Sequence, residues 1–361
     1  MKRAMLLALA LALVAASVAL AGKPIPPPPP PPGPSDIAFG SATNYPGSSS
    51  TGDLTLVQDD GSGKQVLYVA SREVKTPDWS HDGKYIAFYE QPLAMRVVQT
   101  STGKSCVLMQ PYEDLFAVRA PKFHPGFDES VGDGRYVIAY DSWAPDYGGQ
   151  QLLVVSFTFT EGTCQVIQEE GSTVPPDAPG RILTSTAYPV GYDGAVWSPT
   201  GNQLASRMFV DDADAPFASW LRIHDVVADS TGRLVLSGTY VDYPLGDRVN
   251  FSSGFKTLQW SPNGNRLALI GKWVNPEDGN GSKEIFEIDI STNPPGMTQI
   301  TDTAVDEIYF DYLPDGAGMV VGRTDGIFLV PGSGNPIAGP ETARKKVVKW
   351  PHSPAWNPTR W

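Results

Sequence analysis

A short motif recurs along the chain, and it limits the possible folds more than any other sequence feature. Each copy has an aromatic residue, a turn similar to Ser-Pro-Asp-Gly, and then a strand-like run of small and apolar residues. The clear copies are DWSHDGKYIAFYE from Asp78, VWSPTGNQLASRMF from Val196 and QWSPNGNRLALIGK from Gln259. Weaker copies begin at Lys122 and Asp311, and AWNPTRW is a truncated last copy. The chain is therefore predicted to consist of repeated units.

Each copy is predicted to form a β-hairpin. Pro262 fixes φ at the first turn position, and Asn263 and Gly264 tolerate the conformations that close the turn. In the strand that follows, small residues such as Ala268 permit close packing between neighbouring units. The aromatic residues that open the copies are expected to act as wedges between units. They are Trp79, Phe123, Trp197, Trp260, Tyr312 and Trp356.

The spacing of these aromatic residues predicts the fold class. Successive intervals are 44, 74, 63, 52 and 44 residues. A four-stranded propeller blade needs about 40 to 50 residues, so the longer intervals carry insertions. Strand-like runs such as QLLVVSFTFT and EIFEIDI fill the intervals, and helical patterns are almost absent. We expect an all-β fold, a six-bladed β-propeller with four-stranded blades.

The two ends of the repeat region predict how the ring closes. The last copy has no room for its later strands, whereas DIAFGS, from Asp36, matches the post-turn strand YIAFYE, from Tyr85. LTLVQDD and KQVLYVAS would supply the outer strands of the same blade. Strands from both termini would then complete one blade and leave no free radial edge for aggregation.

The repeat also resembles a known family. WSPNGNRLALI and WSHDGKYIAFYE are similar to the repeat of TolB-type propellers, which also occurs in the propeller domains of prolyl oligopeptidase relatives. The resemblance covers nearly all of the chain after residue 35, and it implies the C-terminal propeller of TolB. TolB-type proteins carry an N-terminal α/β domain before the propeller, and here a proline-rich stretch takes that position.

The first residues predict export from the cytoplasm. MKRAMLLALALALVAASVALAG has Lys2 and Arg3 before an apolar run that ends in small residues, the layout of a secretory signal peptide. KPIPPPPPPPGP, which follows, is predicted to form a stiff polyproline II linker. We expect a cleaved signal peptide at 1–21, a Pro-rich linker at 22–35 and a propeller at 36–361. The mature protein would be periplasmic or extracellular.

Charge restricts the possible partners. The formal net charge is −12, and the sequence has no basic stripe. Nucleic-acid binding draws on phosphate neutralisation by Lys and Arg, so nucleic acid is not an expected partner. No stretch after the signal is apolar enough to span a membrane. A protein or peptide partner is the expectation, and the oligomeric state is left open.

The sequence shows no catalytic constellation, which favours a protein that is not an enzyme. There is no GxSxG element for a serine hydrolase. The histidines are His81, His124, His224 and His352, and only the first two share a turn position. The resemblance admits a central metal site, because propeller-type pectin-fragment lyases similar to TolB have one. We nevertheless interpret His81 and His124 as turn residues and expect no metal or other cofactor.

Two acidic loops are further candidates for a metal site. They contain Asp211, Asp212 and Asp214, and Glu277, Asp278 and Asn280. Neither loop has the ligand series of an EF-hand, so both are predicted to be solvated insertions.

The two cysteines, Cys106 and Cys164, occur in matching contexts, GKSCVLM and EGTCQVI. Both are predicted to lie on the outermost strands of successive blades. Outer strands fan apart, whereas a disulfide needs Cα atoms within about 7 Å. An oxidising compartment argues for the bond. We expect the cysteines to remain unpaired.

Aromatic residues outside the wedge set predict a binding face, because such side chains dominate the energetics of interfaces. They lie in or beside the long insertions and could instead cover their own loops. They are Trp143, Tyr147, Trp220, Tyr240, Tyr243 and Trp273. The expected function is a non-catalytic propeller that binds a protein or peptide through loops on one face. The alternative is a saccharide lyase or hydrolase with a site in the central channel.

Overall fold

The structure is a computed structural model, and the part of the chain that it describes is built from β-strands. It describes residues 36–42, 52–90, 94–110, 116–127, 134–144, 149–167, 181–184, 190–210, 218–245, 249–250, 258–273, 281–323, 325–331, 337–338, 345–348 and 354–359. The predicted signal peptide and all of the predicted linker lie outside these residues. No helix in the described ranges has the length and apolar character needed to cross a membrane.

The first three blades contain strands from the N-terminal half of the chain. The first blade contains β1 (Ile37–Ala42), β2 (Gly52–Val57) and β3 (Gln65–Ala70). The second blade contains β4 (Val74–Trp79), β5 (Tyr85–Glu90), β6 (Ala94–Gln99) and β7 (Ser105–Met109). The third blade contains β8 (Phe116–Phe123), β9 (Tyr136–Ala144), β10 (Gly149–Thr160), β11 (Thr163–Val166) and β12 (Arg181–Ile182), the last paired with β10.

The remaining blades follow in chain order. The fourth blade contains β13 (Val190–Trp197), β14 (Gln203–Val210), β15 (Ala218–Ala228) and β16 (Leu234–Pro244). The fifth contains β17 (Val249–Asn250), β18 (Leu258–Trp260), β19 (Arg266–Trp273), β20 (Lys283–Asp289) and β21 (Gly296–Gln299). After β22 (Thr301–Asp302), the sixth contains β23 (Glu307–Tyr312), β24 (Gly318–Arg323), β25 (Gly326–Pro331) and, after β26 (Ile337–Ala338), β27 (Lys345–Val348). β22 and β26 form a separate parallel pair.

The aromatic residue of every repeat copy is the last residue of an innermost strand. β4, β8, β13, β18 and β23 end in this way, as does the final strand, β28 (Pro354–Trp356). The register is also shared, because the aromatic residue pairs with a buried apolar residue of the next strand. Examples are Trp79 opposite Ile86 and Trp260 opposite Leu267. Five of the six predicted hairpins are therefore confirmed, and the sixth copy makes the same pairing with a strand from the other end of the chain.

The first blade is closed by strands from both ends of the repeat region. β28 pairs antiparallel with β1, with Trp356 opposite Ile37, the same register as in the other hairpins. β2 and β3 continue the sheet outward, so its order is β28-β1-β2-β3. The predicted six-bladed propeller and its closure by both termini are confirmed.

The hydrophobic core lies between the blades. Six clusters of buried side chains each join strands of two neighbouring blades, so that every interface in the ring has one. Small residues next to the wedge partners permit this close approach, and all of them are fully buried. They are Ala38, Ala87, Ala139, Ala205 and Ala268. Close approach of the first and second blades also requires a glycine at position 40, because a Cβ there would lie 2.1 Å from the carbonyl oxygen of Val74 in the next blade.

The wedge aromatics also form hydrogen bonds from blade to blade. The indole Nε1 of Trp79 donates to the carbonyl of Ala355 at 3.1 Å, and Trp197 donates to Lys122 at 3.1 Å. Trp260 donates to Val196 at 3.2 Å. In each case the acceptor is the residue directly before the aromatic residue of the preceding blade.

The expectation that the two cysteines stay unpaired is wrong. Cys106 on β7 and Cys164 on β11 form a disulfide, with their Cα atoms 5.6 Å apart. Their predicted positions on the outermost strands of successive blades are confirmed. The strands do not fan apart here, because the core cluster between the second and third blades continues outward to Leu108 and Val166.

Candidate functional site

The residues directly before the wedge aromatics meet around the propeller axis. Together with the aromatics they line a cavity of about 190 Å³. Five positions contribute to it, namely Asp78, Lys122, Val196, Gln259 and Asp311. A neighbouring cavity of about 30 Å³ shares Lys122 and Gln259 with the first. These two side chains therefore lie where the two cavities adjoin.

Asp78 and Lys122 form an ion pair in this channel. The Nζ of Lys122 donates to Oδ1 of Asp78 at 2.9 Å, and the backbone N–H of Phe123 donates to Oδ2 at 2.8 Å. Burial raises the pKa of Asp78, while Lys122 and the N–H of Phe123 act in the opposite direction. The carboxylate links the innermost strands of the second and third blades.

Asp311 has a similar position but a different environment. Its oxygens accept the backbone N–H groups of Tyr312 at 3.0 Å and Trp356 at 2.9 Å. Burial, with a smaller contribution from the charge of Asp78, raises the pKa of Asp311 to about 6, while the charge of Lys122 and the two backbone N–H groups act in the opposite direction. No ion pair to Asp311 is found within the described ranges. Perturbed carboxylates in a cavity are typical of functional sites.

Within the described residues, the histidines do not gather into a group that could hold a metal ion. The Nε2 of His124 lies 3.0 Å from the carbonyl of Gly201, and the N–H of Gly126 donates to Nδ1 at 2.9 Å. Both ring nitrogens are thus occupied, and burial lowers the pKa of His124 to about 4. The prediction that His124 is a turn residue is confirmed. His81 lines the channel cavity, His224 lies on β15, and His352 is outside the described residues.

Other possible metal ligands are not brought together by the described residues. Within them, no three His, Cys, Asp or Glu side chains converge in a geometry that could hold a metal ion. The two acidic loops predicted at 211–214 and 277–280 lie outside the described residues.

The aromatic residues predicted to form a binding face lie on strands rather than in loops, apart from Tyr147, which is outside the described residues. Trp143 is the next-to-last residue of β9, Trp273 ends β19, and Trp220 is near the start of β15. Tyr240 and Tyr243 are near the end of β16. Trp143, Trp220, Tyr243 and Trp273 are therefore at the strand ends remote from the repeat turns, on one face that we call the loop face.

A polar and aromatic cluster occupies the outer part of the fourth blade. Arg222 on β15 donates from Nε and Nη2 to the two carboxylate oxygens of Asp242, both at 2.6 Å. Its Nη1 donates to the hydroxyl of Tyr192 at 2.9 Å, and its guanidinium lies 3.9 Å from the ring centroid of Tyr240. His224 is within 5.9 Å of the Tyr192 and Tyr240 rings, and burial lowers its pKa to about 4. Arg222 therefore holds the Tyr240 ring in place.

The predicted binding residues differ in exposure. The side chain of Tyr240 is 50% exposed, and its neighbour Val241 is 51% exposed. Trp220 and Tyr243 are half-buried, and they pack against the core clusters on opposite sides of the fourth blade. Tyr240 is therefore more accessible than Trp220 or Tyr243.

The channel residues were not predicted as a site. Each channel residue directly precedes a wedge aromatic in the sequence. Since the repeat places these equivalent positions around one axis, this shared position is the signal that could have identified them. Residue type varies there among Asp, Lys, Val, Gln and Ala, so the pattern does not stand out before the ring is built.

Comparisons with known proteins point to the fold. No protein-family model matches the chain, and no curated protein matches it. The structure of TolB from Acinetobacter baumannii is similar, with 17% identity, a TM-score of 0.51, and coverage of 90% of this chain and 66% of that one. The chain thus spans just under two thirds of that relative's length.

Two further structures are similar. A putative TolB from Agrobacterium tumefaciens has 14% identity and a TM-score of 0.51, with 89% of this chain and 92% of that one covered. An oligogalacturonate lyase from Vibrio parahaemolyticus has 8% identity and a TM-score of 0.43, with 80% and 95% covered. Together with the six blades, the two TolB structures show that this chain folds as a TolB-like six-bladed β-propeller.

Proposed function

We propose that this protein is a non-catalytic propeller that binds a protein or peptide partner through the loop face and the adjoining end of β16. The observation that carries the proposal is Tyr240, half-exposed beside exposed Val241 and held by Arg222. Tyr and Arg are the residue types enriched in interface hot spots. A ring that is already fixed loses little rotamer freedom on binding.

The position of β16 supports the same proposal. It is the outermost strand of the fourth blade, it is 11 residues long, and its stretch from 237 to 242 is exposed. An exposed outer strand offers backbone N–H and C=O groups to an extended segment. A bulge opposite His224 and Val226 interrupts the strand, which limits pairing to the end that contains Tyr240.

The site of action that we propose is the periplasm or the extracellular space, reached through a cleaved signal peptide at 1–21. The sequence of residues 1–21 and the disulfide between Cys106 and Cys164 support this location. Fractionation of cells that express the full chain and a chain starting at residue 22 tests it. We expect only the full chain to be exported and shortened.

Site-specific photo-crosslinking tests the binding surface. A photoreactive residue at position 240 is compared with one at position 69 on β3, where the valine is 71% exposed. We expect a discrete partner adduct from position 240 only. The partner, once identified, should bind the purified protein at least tenfold more weakly after Tyr240→Ala, whereas Val69→Ala should change nothing. Identical adducts at both positions, or unchanged affinity in Tyr240→Ala, would contradict the proposal.

A second candidate function is a saccharide lyase or hydrolase in the central channel. It is favoured by Asp311, whose raised pKa of about 6 would suit a general acid or base near neutral pH. Turnover of oligogalacturonides and neutral oligosaccharides by the purified protein tests it. Activity that falls at least a hundredfold in Asp311→Asn would support this candidate, and absence of turnover on both substrate classes would reject it.

A further inference from the structure

One polar side chain of the channel has no hydrogen-bond partner among the described residues. Gln259 is 8% exposed and lines both channel cavities. Its side-chain amide forms no hydrogen bond to any described residue, although two other glutamines on blade strands, Gln150 and Gln203, each donate to an aspartate. Because Gln259 lines both cavities, its amide is open to them, and solvent or a ligand there would complete its hydrogen bonds.

The charges that face Gln259 leave a negative excess. Lys122 pairs directly with Asp78 and acts on Asp311 only through its charge, so two carboxylates face one lysine. From the described residues, Asp311 accepts hydrogen bonds from the backbone N–H groups of Tyr312 and Trp356 alone. Each carboxylate oxygen can accept more than one hydrogen bond, so Asp311 keeps acceptor capacity toward the cavity. A guest with several N–H donors and one positive charge would satisfy Asp311 and the amide oxygen of Gln259 together.

The rest of the lining also favours a cation. Four tryptophans contribute to the cavity, and aromatic rings attract cations through their quadrupole. They are Trp79, Trp197, Trp260 and Trp356. The volume of about 190 Å³ admits a small ammonium or guanidinium group rather than a folded segment or a long oligosaccharide.

We propose that the channel is a binding site for a small organic cation, a primary ammonium or guanidinium group, held by Asp311 and Gln259. This inference is separate from the partner surface at Tyr240, which lies on the outer part of the fourth blade. Either proposal can fail without the other.

Titration with propylammonium chloride tests the site, with 1-propanol as the uncharged control of similar size. The protein carries ¹⁵N-labelled tryptophan, so the indole N–H signals report location. We expect saturable shifts of Trp79, Trp197, Trp260 and Trp356 with propylammonium, and none with 1-propanol. Trp220, outside the channel, should not shift. This comparison needs no variant, so it is informative even if substitutions in the channel impair folding.

Matched variants then assign the residues. Asp311→Asn should weaken propylammonium binding at least tenfold, and Gln259→Leu should weaken it severalfold. Asp315→Asn, an exposed turn residue in the same blade, should leave it unchanged. Equal binding of propylammonium and 1-propanol, shifts of Trp220 alone, or wild-type affinity in Asp311→Asn would overturn the proposal.

The pH dependence of binding gives an independent check. With a pKa of about 6 for Asp311, its ionised fraction and the affinity for propylammonium should fall about tenfold between pH 7 and pH 5. The other titratable groups facing the cavity are Asp78, Lys122 and His81. The fall should therefore persist in His81→Gln and vanish in Asp311→Asn. Affinity that does not change with pH would contradict the role of Asp311.

Discussion

At the scale of single residues, each of three wedge tryptophans, Trp79, Trp197 and Trp260, has two roles. Its ring fills the space between two blades, and its indole N–H binds a carbonyl of the preceding blade. The carbonyl belongs to the residue before the preceding aromatic, so the same contact recurs at three interfaces of the ring. The repeat predicted the first role. It did not predict the second, because the acceptor is a backbone group more than 60 residues away in sequence for Trp197 and Trp260.

Substitution of Trp260 separates the two roles. Trp260→Phe keeps most of the buried ring and loses the hydrogen bond to Val196, so we expect unfolding free energy to fall by about 1 to 2 kcal/mol. Trp260→Ala leaves a cavity as well and should cost about 3 to 5 kcal/mol. Denaturant unfolding measures both changes. Trp220→Phe, at a half-buried site, is the matched control and should cost less than Trp260→Phe. Equal losses at the two sites would contradict the interblade bond.

The sequence predicted one of the two residues that form the exposed site on the fourth blade. Tyr240 was predicted and is exposed, whereas Arg222, which holds it, was missed because an arginine within a strand run carries no recognisable pattern. The channel set of Asp78, Lys122 and Asp311 was missed for a related reason. These residues are 44 and 189 positions apart, and only the closed ring brings them together.

At the scale of strands, several insertions proved to be longer strands. β10, β15 and β16 have 12, 11 and 11 residues, about twice the length of most others. The binding residues expected in loops therefore lie at strand ends. The same extension explains the wrong expectation for the cysteines, because the length of β10 carries β11 outward beside β7. The repeat motif predicts the inner strands of each blade, but it does not predict the length of the outer strands.

The disulfide should contribute strongly to the contact between the second and third blades. It closes a loop over a sequence separation of 58 residues, for which chain entropy gives about 4 kcal/mol. We expect Cys106→Ser combined with Cys164→Ser to lower the unfolding free energy by about 2 to 4 kcal/mol. A reducing agent should destabilise the wild type and leave the double variant unchanged. Equal sensitivity of both proteins to the reductant would show that the bond does not form.

A buried carboxyl pair between the fifth and sixth blades predicts how stability depends on pH. Glu284 on β20 and Glu307 on β23 are 1% and 0% exposed. Burial and the negative charge of Glu284 raise the pKa of Glu307 far above its ordinary 4.5. A raised folded-state pKa means that stability is fully present below 4.5 and is lost as pH rises toward the raised value.

Glu307→Gln should remove this dependence, because an amide resembles the protonated acid. Between pH 5 and pH 9, the unfolding free energy of the wild type should fall more steeply than that of Glu307→Gln. Denaturant midpoints across this range measure the difference. Asp315→Asn, at an exposed site in the same blade, should follow the wild type. Parallel curves for the wild type and Glu307→Gln would contradict a protonated Glu307.

At the scale of the whole molecule, stability depends on closing the ring. Each interface has one core cluster, and the cluster between the sixth and first blades contains Ile37, Phe39, Val57, Val320 and Ile327, with Trp356 packed against it. Without β28, β1 would lose its inner partner, and the carbonyl of Ala355 would no longer accept the indole of Trp79. The sequence predicted this closure from the truncated last copy and from the match between DIAFGS and YIAFYE.

Methyl NOE spectroscopy on the full chain tests the closure most directly. With ¹³C-methyl-labelled isoleucine and ¹⁵N-labelled tryptophan, the pairing of β1 with β28 predicts a cross-peak between the Ile37 methyl groups and the Trp356 indole. The cross-peak should be absent in Ile37→Ala, which confirms its assignment. Strong contacts from Ile37 to other tryptophans and none to Trp356 would contradict closure of one blade by both termini.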